Sequence, residues 1–177
     1  MSPSQASRHW WHAVDQNLER WALLIFYSML VATMAVEVIR REAFAYSSVW
    51  GEEIVRYSFI YLVWIGAAAA VRERAHIRID VVFEMVSPKV KAWLYLFGDL
   101  VTVVVAGFAI YWSWESFLVS IKFGSVSHGL RISMAWFLAA VPLGMALLLY
   151  RLQQSIRRDI SDIRHGRPVF EGERLFD

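Results

Sequence analysis

The chain has 177 residues, 58% of them hydrophobic and 19% charged, a balance too apolar for an ordinary soluble domain and one that places it in the membrane class. It contains no cysteine, which excludes disulfides, thiolate metal sites and thiol nucleophiles. The formal net charge is only +2 and the basic residues gather at the borders of apolar runs, which argues against a nucleic-acid partner.

Residues 1–20 are polar and carry His9, Trp10, Trp11 and His12, a mixture suited to an N-terminal interfacial segment lying among lipid headgroups. The apolar run that follows starts late, is long, and leads to Glu37, Arg40 and Arg41 rather than to a small-residue cleavage site. It therefore reads as a retained first span, 21–39, and not as a secretory signal. Glu37 precedes Arg40 by three residues and Arg41 by four, so it is expected in a salt bridge at the membrane edge.

The stretch from Trp50 to Asp80 organises the rest. Tyr57 to Val71 is uncharged, and Ile54, Val55 and the snorkelling stem of Arg56 lengthen it towards the roughly 20 residues that cross hydrocarbon, giving a second span over 54–72. Glu52 and Glu53 fall in the first turn and Arg72 and Arg74 at the last, the placement that a helix dipole favours. Arg56 lies four residues after Glu52 and three after Glu53, so either carboxylate is expected to meet it. Adjacent carboxylates point about 100° apart on a helix and do not converge on one bond. Anchoring or partner docking is thus the preferred reading over acid–base catalysis. In mid-span, Gly66 and Ala70 bracket three alanines, a small-xxx-small step that admits close approach of another helix, from this chain or a second polypeptide. Trp64, also mid-span, reads as a packing or lipid-contact residue.

After the second span, the sequence His76-Ile77-Arg78-Ile79-Asp80 opens a run too short and too charged to cross. It reads as an interfacial shelf over about 76–87, ending at Ser87 and Pro88 as cap and first position of the next helix. The third span, 92–114, lies in a helix that continues towards Phe123, with Gly124 as its stop. Asp99 lies about 9 Å along the axis from Trp93, below the headgroups on the side of Arg72, Arg74 and His76. An ion pair or hydrogen bond to the shelf is its expected role, with ion or proton handling as the sharper alternative. The fourth span, 132–150, contains Pro142, which is expected to kink it. The tail, 151–177, is expected to start as a continuing helix and to fray after Gly166-Arg167-Pro168.

With the tail counted only as far as Arg164, Lys and Arg number 11 on the side shared by both termini and 5 on the other, which puts both termini and the shelf in the cytoplasm. The expected fold is an all-α integral membrane protein, with a four-helix transmembrane domain over 21–150 plus the interfacial amphipathic segment. His9, His12, His76, His128 and His165 all lie outside the spans, so no pair of axial haem ligands is offered. No glycine-rich loop followed by lysine is present for a nucleotide. No catalytic, cofactor or metal residues are assigned. The pattern is that of a membrane scaffold.

Glu52-Glu53, Arg56, Trp64, Gly66-Ala67, the arginines before His76, and His76-Ile77-Arg78-Ile79-Asp80, in this order and spacing, resemble the small, DctQ-like membrane subunit of tripartite ATP-independent periplasmic (TRAP) transporters. The close match covers about 30 residues, whereas length, spans and topology match over the whole chain. The resemblance implies a bacterial inner-membrane protein that partners a large M-type membrane subunit and a periplasmic P-type binding protein in sodium-driven import of an organic acid. It further implies that the small subunit stands as a fixed scaffold, with sodium and substrate handled by the large one. Carried over to this chain, Glu52, Glu53 and Arg56 at one rim and Arg72, Arg74, His76 and Asp80 at the other hold the bundle, lipid headgroups or the large subunit in register. Two alternatives stand beside this reading: an anchor subunit of a redox or other membrane enzyme, and a self-sufficient small oligomeric transporter.

Overall fold

The computed structural model describes residues 3–73 and 86–165. Four helices account for nearly all of them: α1 (Pro3–Phe44), α2 (Val49–Glu73), α3 (Pro88–Phe123) and α4 (Ala135–His165). Each contains a segment long and apolar enough to cross a bilayer, at Asn17–Phe44, Val49–Arg72, Val90–Phe123 and Ala135–His165. Among the described residues the one extended pairing is an isolated antiparallel bridge between Val126 and Ser133. The chain is an all-α, four-span membrane protein.

Each helix is longer than the span expected of it. No glycine or proline interrupts the chain from Ser4 to Trp50, so the polar residues expected as a separate interfacial segment over 1–20 continue without a break into the first span. Helix α2 starts at Val49, five residues before position 54, and takes Glu52 into its first turn, where a carboxylate faces unpaired amides. Helix α3 opens at Pro88, whose missing N–H is harmless in a first turn, and the Ser87 carbonyl accepts the Lys91 amide at 3.0 Å. It stops at Gly124, which adopts the left-handed φ of +58°. Helix α4 begins at Ala135 rather than 132 because Met134 is still engaged in the preceding loop, its amide donating to the Ser125 carbonyl at 2.8 Å. The helix then passes through Pro142 and on to His165. Of the shelf expected over 76–87, residues 76–85 lie outside the described residues, as does the tail beyond His165.

The helices pack in two compact groups. In the first, whose described residues are 3–66 and 117–140, α1 buries only a seam over 17–44. Its shielded positions include Glu19, Leu23, Phe26, Leu30, Thr33, Glu37 and Arg40, alternating steps of four and three. That is the 3.5-residue period of an intertwined helix pair. Facing the seam, α2 presents small residues about every seven: Gly51 against Glu37, then the fully buried Ser58, and Gly66, where an added Cβ would lie 3.8 Å from Leu23. Between them Tyr61 stacks on Phe26, ring centroids 5.1 Å apart and nearly parallel. Lipid tails are as apolar as these side chains, so close packing rather than hydrophobic transfer holds the two helices, and small residues are what permit it. On its other side α2 meets the start of α4: Tyr57 packs edge-on against Phe137 at 5.3 Å, and the Tyr61 hydroxyl donates to the Trp136 carbonyl at 2.6 Å.

In the second group, whose described residues are 67–73, 86–116 and 141–165, the apolar core consists of Ala68, Val71, Ala92, Tyr95, Ala106, Met145, Leu148 and Leu152. A polar ladder continues it along one face of α4, where Arg151, Ser155 and Asp159 at four-residue intervals are all buried.

Candidate functional site

Two polar clamps lie at the start of α2, and of Glu52, Glu53 and Arg56 only Glu53 belongs to one. The first closes the corner between α1 and α2. Ala45 leaves the helix with φ +49°, and the Tyr46 amide bonds back to the Arg40 carbonyl at 3.4 Å. Ser48, the residue before α2, donates its amide to Glu37 Oε2 at 3.2 Å and its hydroxyl to Glu37 Oε1. A carboxylate from α1 thereby serves an amide that α2 cannot bond within itself. Arg40 completes the clamp: Nη1 pairs with Glu37 Oε1 and reaches Ser48 Oγ, both at 3.3 Å, while its guanidinium lies over the rings of Tyr46 and Trp50 at 4.8 and 5.2 Å. Gly51 makes room for this cluster, since a Cβ there would lie 2.7 Å from Glu37 Cγ.

The second clamp ties the α3–α4 loop to the first turn of α2. Glu53 is buried, and its two carboxylate oxygens accept the amides of Gly129 at 2.7 Å and Leu130 at 2.8 Å. Charged acceptors on backbone amides make short, strong bonds, here one per oxygen. The loop shapes itself to present those amides. The Ser127 amide donates to the Ile132 carbonyl at 2.9 Å, and Arg131 adopts a left-handed φ of +52°. Only glycine fits at 129, because a Cβ would lie 2.8 Å from the Trp50 nitrogen and the Val49 carbonyl carbon.

These clamps rearrange the expected pairings. Glu37 and Arg40 form the edge salt bridge read from their spacing. Among the described residues neither Glu52 nor Glu53 forms an ion pair with Arg56: Glu53 is committed to the loop, and Glu52 and Arg56 are exposed. Trp64, Gly66 and Ala70 are half-buried around the fully buried Ala68, and Gly66 is met by Leu23 of the same chain. Arg72 is half-buried in the last turn of α2, and Asp99 is half-buried on the α3 face that carries Ala92 and Tyr95. Arg74, His76 and Asp80 lie outside the described residues. Ser48, Gly129 and Leu130 were not foreseen. A glycine between the polar Ser127-His128 and Leu130 marks a turn, but nothing local links it to a carboxylate 76 residues earlier. The groups assembled here hold backbone amides and aromatic rings. Their chemistry is that of positioning.

Comparison with known proteins agrees with that chemistry. Residues 30–162, three quarters of the chain, match the model of the family described as tripartite ATP-independent periplasmic transporters, DctQ component. The chain belongs to this family. A putative TRAP transporter small permease protein of Haemophilus influenzae is 26% identical over 147 residues, which cover 82% of this chain and 91% of that protein. The sialic acid TRAP transporter small permease protein SiaQ of Vibrio cholerae is 23% identical, over 81% of this chain and 82% of its own. The sialic acid TRAP transporter permease protein SiaT of Haemophilus influenzae is 24% identical over 78% of this chain, yet the chain spans only 22% of that protein's length. As a DctQ component, the chain is part of an inner-membrane transporter and not an enzyme, which removes the membrane-enzyme alternative.

Proposed function

We propose that this chain is the small permease subunit of a sodium-driven TRAP importer, in which it pairs with and steadies a large membrane subunit. One observation carries the reading: the chain matches nearly the full length of proteins named small permease, but about a fifth of a longer permease. The remainder of the longer permease is additional polypeptide alongside a DctQ-like part. In the proposed importer a large membrane subunit supplies that part. An organic acid reaches that subunit from a periplasmic binding protein. The basic residues on the side of the two termini orient both termini to the cytoplasm, with the clamps at the periplasmic rim.

Glu53 and the Glu37–Arg40 pair give the small subunit a fixed outer rim. Glu52, Arg56, Trp64, Gly66, Ala70, Arg72, Arg74, His76, Asp80 and Asp99 are proposed contacts that keep the bundle, lipids or the large subunit in register. Reconstitution tests this directly. Liposomes holding the chain and its large subunit, with the binding protein and an inward sodium gradient, are expected to accumulate the organic acid. Omitting either membrane subunit, or the gradient, is expected to stop uptake. Uptake by the chain alone would overturn the proposal in favour of a self-sufficient carrier.

A further inference from the structure

The first packing group leaves α2 one uncovered strip. Of positions 51–66, only Glu52, Arg56, Phe59 and Val63 are exposed, and they recur at four, three and four residues along a single face. The α1 seam covers the face of Gly51 and Ser58, while the loop and the start of α4 cover that of Glu53, Tyr57 and Tyr61. The exposed surface of α1 is of another kind. Between Trp21 and Ile39 it carries Trp21, Ile25, Met29, Val36 and Ile39 and no exposed charge, as a face bathed by lipid does.

The α2 strip carries a carboxylate and a guanidinium on adjacent turns. Neither takes part in an ion pair within the described chain. Arg56 lies about 10 Å along the axis from Val49, at 1.5 Å per residue, which is below the first turn of a membrane-crossing helix. Ionisable side chains on such helices face protein or water rather than acyl chains.

We infer that the strip Glu52, Arg56, Phe59 and Val63 seats a transmembrane helix of the large permease polypeptide, and that this helix brings a basic group to Glu52 and an acidic group to Arg56. The inference rests on the reading of the chain as a small permease subunit. Two observations select this occupant. The uncompensated charges call for a protein helix bearing the opposite pair. A segment similar to most of this chain also lies within a permease of which it makes up 22%, where the rest of the permease is always at hand.

A photoreactive benzoylphenylalanine placed at Phe59 or Val63, in cells making the whole transporter, tests the seat. Illumination is expected to give one adduct per position, identified by mass spectrometry as the large membrane subunit. The same probe at Ile25 or Met29 is expected to give lipid adducts or none. Arg56→Glu is expected to lower co-purification of the large subunit at least tenfold and Arg56→Lys less than threefold, with membrane insertion of both variants unchanged. A self-adduct or lipid adduct at Phe59 and Val63, while the large subunit still co-purifies, would overturn this seat and leave the functional reading intact. Failure of the unmodified chain to co-purify with any larger permease polypeptide would overturn both.

Discussion

Helices α1 and α2 are neighbours of similar apolar character, yet α1 is shielded along a seam only, whereas α2 over 51–66 is at least half-buried everywhere but on one strip. The reason is side-chain size. Along its contact with α1, α2 offers Gly51 and Gly66, and α1 answers with Glu37 and Leu23 from its seam, while the buried Ser58 lies about two turns beyond Gly51 on the same face. Large residues on the thin seam of one helix settle over small residues of the other. Glu37 doubles as a cap for α2, so the fit at Gly51 is both steric and polar. A helix clad on three sides is fixed in rotation. That makes its remaining strip a defined surface, whereas the open sides of α1 carry no such constraint.

The sharpest way to break this contrast is at Gly129. Valine there would drive a Cβ to 2.8 Å from backbone atoms of α2, which cannot swing aside, so the loop must leave Glu53. Overpacking of this kind costs about 1–3 kcal/mol. Gly129→Val is expected to lower the melting temperature of the detergent-solubilised protein more than any other substitution considered, and to open the loop to protease. An unchanged melting point would mean that the loop does not seat α2. Gly51→Leu comes next. Its obstructing neighbour is the Glu37 side chain, which can move, but only by giving up Ser48 and Arg40. A smaller loss of melting temperature is expected, together with faster proteolysis between Phe44 and Val49. The same leucine at the open α1 position Ala35 should change neither quantity.

At Ser58 the contrast sharpens rather than breaks. Its hydroxyl is fully buried and, among the described residues, without a hydrogen-bond partner. Removing an unsatisfied hydroxyl relieves its desolvation. Ser58→Ala is accordingly expected to be neutral or slightly stabilising by thermal melting, whereas Ser58→Leu should separate α1 from α2. Equal losses for the two would show that the hydroxyl, not the space, matters. The smallest effect is expected at Gly66→Ala. The added methyl would meet Leu23 at an ordinary 3.8 Å, and alanine gains up to about 1 kcal/mol of helix propensity over glycine. A marked loss of stability or of partner binding would place a tighter contact at Gly66 than Leu23 provides.

The four helices were legible because a bilayer demands long apolar runs, and Gly124 and Pro88 mark boundaries through backbone chemistry that does not depend on context. Helix lengths were less so. Hydropathy registers where the chain is apolar, whereas α1 and α4 continue as helices through polar residues that no breaker interrupts. The Glu37–Arg40 pair was legible because its partners lie one turn apart. Glu53 was not: its spacing to Arg56 suggested an ion pair, but two backbone amides brought up by a loop from the far end of the chain compete better for the carboxylate than one flexible, solvated guanidinium. Position along a helix fixes which groups are near. It does not say which distant backbone arrives first.

The length of α4 has a practical consequence. Its 31 residues extend about 46 Å at 1.5 Å per residue, against roughly 30 Å of hydrocarbon, and the surplus beyond Tyr150 is stiffened by Arg151, Ser155 and Asp159. In a detergent micelle this end, packed along its polar ladder, would stand clear of the belt as protein density. For particles otherwise hidden in surfactant, such a mast supplies the asymmetric landmark by which images can be aligned.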